Sequence, residues 1–458
     1  MEEREARGRV LRKEFPHARR GRWTPSGSRA DPIEILERQS AERIPELVPI
    51  RYGRMAASPF AFYRGGAAIM AADLAETPVS GLIAQLCGDA HLMNFGLFET
   101  PERSLIFGLN DFDETLPGPV EWDLERLAAS VEIAGRDLSF SESEREAAVL
   151  ATVRSYREAM LGFAEQRDLE VWYERLPAEQ LHARLSAHAD PETAKEVERG
   201  LRKALHRDHL RAFDRLITTE GGRAAFIHEP PLLVPVEELL DADQRTRYVE
   251  VVQSFLTQYR EGLPPHTRAL AERYRFAHMA RKVVGVGSVG TRAWAVLLLG
   301  RDHGDPLILR LKEAKRSVLE PYTAPSVYGS QGRRVVEGQR FMQAASDSLL
   351  GWYRLRAWDG VEHDFYVRQL WDGKASIAVA HLTPAGLRAY GEACGWTLAR
   401  GHARSGDRIA MAAYLGEGDT LDGAIARFAA AYADVNEADH ARLVDAIETG
   451  RLAATPGI

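Results

Sequence analysis

Apolar and polar positions recur with two different periods along the chain, and the change of period divides it. Over residues 144–163, Val149, Leu150, Val153, Tyr156, Met160 and Phe163 stand at helical spacing behind Ser141 and Ser143, either of which can cap the helix. Helices and turns are expected over 32–84, and helices dominate 121–217, ending in a densely charged one over 191–217. Another helix is predicted around 241–262, ahead of a turn at Pro264-Pro265, whereas the prolines of 227–235 forbid a helix and mark a connector. Short apolar runs bounded by turn residues read as strands. Residues 82–87 form one, and Leu97-Phe98 and 105–109 form a hairpin-like pair around a polar turn at 101–103.

A second group of strands follows. Residues 282–287 are strand-like and glycine-rich, 293–299 and 307–312 flank a turn at 301–306, and two more runs lie near 353–357 and 365–370. A helix around 334–348 separates them, and the tail from Pro384 is helical with a break at 401–406. The expected fold class is α+β: a basic arm over 1–31, a helical lobe over 32–270, a small antiparallel lobe over 271–382, and closing helices over 383–458 that pack on the helical lobe.

Composition narrows the function. At 458 residues the chain is long enough for two to four domains of roughly 100–200 residues each. With 45% hydrophobic and 27% charged residues, wholesale disorder is excluded. The net charge is −7, so nucleic acid is not expected as the main partner. Two cysteines, Cys87 and Cys394, cannot form a disulfide scaffold or a cysteine-rich metal site, and they fit a reducing, cytoplasmic setting. The longest aliphatic run, near 293–299, falls far short of the ~20 residues that cross a bilayer, so no membrane partner is expected. Arg4, Arg7, Arg9, Arg12, Lys13, Arg19, Arg20, Arg22 and Arg29 make the first 29 residues basic, with no apolar stretch of a secretory signal. A solvated, partly frayed arm is expected; a contact for an acidic partner is the alternative.

Two constellations carry chemistry. The first is Gly285-Val286-Gly287-Ser288-Val289-Gly290. A dinucleotide-binding turn would need a helix directly after it, but Ala293 to Leu297 favour a strand. Strand, glycine loop, strand is instead the arrangement of a hairpin that folds over ATP phosphates. A third strand then presents Lys312, able to reach an α/β-phosphate pair, and the next helix offers Glu337 to tether its charge. The plain alternative makes Lys312 an edge-strand lysine, Glu337 a solvated helix residue and the glycines a tight hairpin. The second constellation is Asp89 and Asn94 in one loop, followed by the hairpin and Asp111. Phosphoryl transfer needs a carboxylate to orient and deprotonate an acceptor hydroxyl, and an Asn amide and Asp carboxylate to hold Mg²⁺. Turn capping by Asp89 and Asn94 is the competing reading.

Gly88-Asp89-Ala90-His91-Leu92-Met93-Asn94-Phe95-Gly96 resembles the catalytic loop of the protein-kinase-like superfamily. It is nearest to the H-G-D-x4-N loop of aminoglycoside and choline phosphotransferases and the D-x-H-x2-N-F loop of HipA-type kinases. Asn110-Asp111-Phe112-Asp113 is similar to their metal-binding I-D-F segment, and Glu121 to Ala128 resembles the helix that follows it in the aminoglycoside branch. Strings such as SPFAFYRG, QLCGDAHLMNFG and NDFDETLPGPVEWDLERLA look like the bacterial family called domain of unknown function 2252. The superfamily resemblance implies a two-lobed kinase-like fold in circularly permuted order, since the glycine loop here follows the catalytic loop. It implies ATP and Mg²⁺ as cofactors: Asp89 catalytic, Asn94 and Asp111 on the metal, Gly285, Gly287, Ser288, Gly290 and Lys312 on the nucleotide, and Glu337 fixing Lys312. The expected function is an ATP-dependent phosphotransferase acting on a small-molecule or protein hydroxyl. A nucleotide-binding regulator without catalysis, and AMP transfer by the same cleft, are the alternatives. A metal-dependent hydrolase built on Asp89, His91, Asp111 and Asp113 is a further one.

Other residues carry weaker signals. His91 orients Asp89, touches a phosphate, or braces its own loop. Asp113 adds a metal ligand or caps a turn, and Asp123 is expected to brace the catalytic loop. Arg51, Arg54 and Arg64 face an anionic substrate or serve packing and ion pairing. Residues 402–407 are expected to stop a helix and recap the next. His206-Arg207-Asp208 spells a kinase motif, but Phe213 stands where Asn is required and the match is rejected; His206 and His209 lack a zinc-ligand set.

Overall fold

The computed structural model describes residues 1–188, 195, 209–220, 223–283, 285–356, 360–370 and 377–458. His206-Arg207-Asp208 and most of the helix expected over 191–217 lie outside the described residues, of which His209–Leu216 is helical.

Two apolar cores organise the chain, one under helices and one under a sheet. In the helical part, strand β1 (Ile83–Leu86) leads into the Asp89 loop. Strands β2 (Phe95–Glu99) and β3 (Leu105–Leu109) pair antiparallel, Phe95 opposite Leu109, as the hairpin pattern predicts. Strand β4 (Leu116–Pro119) returns beside β1, and the short β5 (Leu176–Pro177) pairs with β3. β4 feeds the helix Val120–Asp137, buried along nearly its whole length. The helix Glu142–Glu165 begins with a capping box between Ser141 and Glu144. It packs on the helix Pro384–Ser405 at Gly391 and Gly395, where an added Cβ would stand 2.1 Å and 2.2 Å from Thr152 atoms.

Strands β6 (Ile217–Glu220) and β7 (Arg223–Phe226) form a separate hairpin. Strands β8 (Leu233–Pro235), β9 (Arg275–Lys282), β10 (Ala293–Leu299), β11 (Pro306–Glu313), β12 (Gly351–Arg356) and β13 (Glu362–Gln369) make one antiparallel sheet in the order β12-β13-β11-β10-β9-β8. The helix Gln331–Met342 lies between β11 and β12 in sequence. Strand alternation gives the sheet two faces. Leu307, Leu309 and Leu311 pack with Val252, Phe255 and Tyr259 of the helix Ala242–Glu261. The opposite face buries Ala280, Ala295 and Ile308, and further along carries Lys282, Arg310, Lys312, Tyr366 and Arg368.

Four expectations change. The sheet unit begins well before residue 271, because β8 and the helix Ala242–Glu261 are built into it. The helix expected over 334–348 spans Gln331–Met342, and the helix Pro384–Ser405 runs through Gly401, breaking only at Gly406. The basic arm is docked rather than frayed. It forms the helix Glu2–Glu14, and Arg20, 8% exposed, is paired with buried Glu121 and Glu125. Arg29 joins Asp73 to Asp439. Both cysteines are free and buried. Among the described residues no helix is long and apolar enough to cross a membrane.

Candidate functional site

The two constellations meet. A cavity of about 400 Å³ is lined by Asp89, Asn94, Asp111, Asp113 and Glu114 from the helical part and by Gly285, Gly287, Ser288, Arg310 and Arg368 from the sheet part. That volume falls within the roughly 300–1,000 Å³ of small-molecule sites.

Asp89 follows Gly88, whose φ of +82° turns the chain sharply out of β1 and whose Cα lies against the Glu114 carbonyl. Asp123, at the start of the helix Val120–Asp137, accepts the Cys87 and Gly88 amides at 2.7 Å and 3.0 Å, so it braces this loop as expected. His402, fully buried, stands 3.3 Å from Asp123 and 2.8 Å from the Tyr156 hydroxyl, a structural role the sequence did not single out. One turn beyond Asp123, Arg126 donates to Asp89 Oδ1 at 3.0 Å and lies over the Tyr63 ring. Asp89 Oδ2 is left without a hydrogen-bond donor among the described residues, 3.7 Å from His91 Nε2. Burial lowers the His91 pKa to about 4, so its ring is neutral near pH 7.

Asn94 donates its amide to the Asp89 carbonyl at 2.7 Å, which leaves its side-chain oxygen as the acceptor for a cation. Asp111 Oδ1 is buried with no hydrogen-bond partner. Burial opposes ionisation of Asp111, but Lys312, Arg368 and Arg310 outweigh it and hold the carboxyl well below the usual range. Among the described residues no group of three or more His, Cys, Asp or Glu could hold a metal. An orphaned carboxylate oxygen and an Asn side chain lining one cavity suit Mg²⁺, which binds through one or two protein oxygens and takes its other ligands from phosphate and water.

Lys312 is completely buried. Its ammonium contacts Asp111 at 3.4 Å and Asp113 more closely, and it lies behind these carboxylates rather than on the cavity wall. Asp113 also accepts from Tyr366 at 2.9 Å and from Ser288 of the glycine loop at 3.2 Å, so it joins sheet, loop and acidic segment instead of capping a turn. The expected Lys312–Glu337 pair is not formed. Along the helix Gln331–Met342, Arg334, Gly338 and Met342 make the inward stripe. Glu337 is off that stripe, and pairs with Arg340 of its own helix at 3.4 Å. Arg334 instead donates to the carbonyls of Asp113, Thr115 and Lys315, tying the acidic segment to the sheet unit.

Gly285, Gly287 and Ser288 line the cavity; Gly290 does not. With φ of +88°, Gly290 turns the chain against Arg43, whose Cβ would stand 3.0 Å from an added Cβ. Arg43 holds the loop from outside through the carbonyls of Val289 and Gly287 at 2.5 Å and 3.0 Å. Arg43 carried no sequence signal. Arg310 did, since it sits two residues before Lys312 and strand alternation puts both on one face. Arg310 stands directly opposite Arg368, and this like-charge pair faces Asp111.

Residues 43–446 match the family described as an uncharacterized protein conserved in bacteria, domain of unknown function 2252. The chain belongs to that family. No curated protein and no solved structure matches it. In this family member the matched segment takes in every residue placed around the cavity except Gln39, which precedes it.

Proposed function

We propose that this protein is an ATP- and Mg²⁺-dependent phosphotransferase acting on a hydroxyl acceptor, with a kinase-like fold in circularly permuted order. The observation that carries the reading is the convergence of Asp89, Asn94 and Asp111 with the glycine loop and the Lys312 strand around one cavity, across about two hundred residues of sequence. A glycine hairpin, a lysine on the third strand and a helix after it are the parts of a nucleotide-gripping unit; a D-x4-N loop, a hairpin and an acidic end are those of a transfer unit.

Asp89, oriented through Oδ1 by Arg126, offers Oδ2 to the acceptor hydroxyl. Its carboxylate takes the proton as the acceptor oxygen bonds the γ-phosphorus and the bond to the bridging oxygen breaks, leaving ADP. Asn94 and Asp111 would hold Mg²⁺, which neutralises charge on the phosphates. Gly285, Gly287 and Ser288 let loop backbone approach the phosphates, while Arg310 and Arg368 supply positive charge on the sheet wall. Lys312, held by Asp111 and Asp113, would fix these carboxylates and could contact a phosphate only if they released its ammonium.

The test is turnover of ATP labelled separately at the α and γ positions, with a thermal shift by Mg-ATP on the same preparations. Wild type should release γ-label to an acceptor or water and gain stability with Mg-ATP, and Asp111→Ala should lose both by at least a hundredfold in rate. Wild-type turnover by Asp111→Ala would remove the metal assignment. Transfer of α-label would replace phosphate transfer with AMP transfer, and binding without consumption would make the protein a nucleotide-dependent regulator.

A further inference from the structure

The cavity has a second cationic wall. The N-terminal helices Val48–Met55 and Pro59–Gly65 contribute Arg51 and Arg64, and Arg43 stands beside them; all three line the cavity. Arg51 is fully buried and donates only to neutral acceptors, Ser40, Gln39 and the Gly65 carbonyl. Arg64 is half-buried and donates no side-chain hydrogen bond to any described residue. The Nε of each of the three is buried without a partner. Among the described residues none of them has a carboxylate at ion-pair distance, whereas Arg20, Arg29 and Arg157 each hold one or two; buried Arg334 and Arg400 also lack one, but carbonyls hold them and neither lines the cavity. Arg54, on the same helix as Arg51, is outside the cavity and donates to Ile458.

Burying a guanidinium without a counter-charge is unfavourable, and an anion taken up by the cavity would supply the missing charge. The sheet wall carries excess positive charge as well, Arg310, Arg368 and Lys312 against Asp111 and Asp113, but those cations surround Asp111. Burial disfavours the charge on Arg51 and on Arg64, and for Arg64 the opposing carboxylate is Asp89. The uncompensated charge therefore lies next to the group that would take the acceptor proton.

We propose that Arg64 and Arg51, with Arg43 behind them, bind an oxyanion, phosphate or carboxylate, carried by the hydroxyl acceptor itself. The assignment to the acceptor rests on the phosphotransferase reading; the anion site does not. Planar guanidinium groups match either oxyanion through paired N–H donors. A cavity shared with a nucleotide leaves room only for a small acceptor, such as a hydroxy acid or a phosphorylated alcohol. The same charge disfavours cationic acceptors of the aminoglycoside or choline kind at this wall.

Isothermal titration at fixed ionic strength tests this with inorganic phosphate, D-glycerate and choline as probes, each with and without saturating Mg-ADP. Phosphate or glycerate should bind wild type in the presence of Mg-ADP, and choline should not. Arg64→Gln should weaken oxyanion binding at least tenfold while Mg-ADP affinity stays within twofold, and Arg64→Lys should recover only part of the loss. A matched melting temperature and circular dichroism spectrum establish that each variant is folded. If Arg64→Gln weakens Mg-ADP as much as phosphate, the wall serves the nucleotide and the proposal falls. It falls also if neither oxyanion binds wild type or if choline binds. Oxyanion binding that depends on Arg64 in a protein that neither binds nor consumes ATP would keep the anion site and overturn the phosphotransferase reading.

Discussion

Asp111 and Glu114 stand three residues apart and feel opposite fields. At Asp111, burial is outweighed by Lys312, Arg368 and Arg310, and the carboxyl is held well below the usual range. Its contribution to stability is therefore present above the ordinary carboxylate range and lost as pH falls. At Glu114, burial wins over the Val318 amide and Arg334, and the pKa is pushed up to about 7. Its contribution is fully present below about pH 4.5, the unfolded value, and is lost as pH rises through 7. Glu114→Gln should thus melt above wild type at pH 8 and level with it at pH 4.5, in a pH series of thermal denaturation. An equal difference at both pH values would refute the assignment. At this scale the chemistry-bearing types were legible, because D-x4-N and the acidic end are local in sequence. The partners were not: Lys312 lies closest to Asp113 and not to Glu337, since the acidic segment approaches from a distant part of the chain.

The glycine loop shows what an element shares with its surroundings. The β9–β10 hairpin forms, but its first strand is Arg275–Lys282; the run 282–287 expected as a strand only ends it, and Val286–Ser288 make a short 3-10 turn in the glycine loop. What holds the loop is Arg43, through two carbonyls, together with the Ile44 amide donating to Gly290 at 2.8 Å. Arg43→Ala should raise amide hydrogen exchange over residues 287–291 and weaken Mg-ADP binding. Stability should fall by about 3 kcal/mol in urea denaturation, because hydrogen bonds involving a charged group contribute roughly 1.5–3 kcal/mol each. Unchanged exchange in the loop would show that Arg43 does not restrain it. The glycines divide by a similar logic. A helix break is expected over 401–406, yet Gly401 lies inside the helix Pro384–Ser405 where Met342 approaches, an added Cβ standing 3.0 Å from the Met342 methyl. Spacing alone does not distinguish a glycine that ends a helix from one that admits a neighbour.

For the whole molecule, the docked N-terminal arm is the largest departure from expectation. Arg20 stands between Glu121 and Glu125 on the helix that also carries Asp123 and Arg126, so the arm neutralises the far side of the helix that positions Asp89. Arg20→Met should leave two buried carboxylates unpaired and lower stability by about 3–5 kcal/mol in urea denaturation. A loss under about 1 kcal/mol would mean that solvent reaches these groups and the pairing adds little.

The sequence by itself determined the α+β class, most helices and strands, and the loops that bear Asp89, Asn94, Asp111 and the glycines, because periodicity, capping and turn chemistry act over a few residues. Tertiary structure alone decided that the two constellations share one cavity, that Lys312 is held by Asp111 and Asp113, that the arm docks, and that Arg51 and Arg64 lack a counter-charge. Each of these depends on charges brought together across long stretches of chain, where the balance of burial against pairing is set by distance in space and leaves no trace in local spacing.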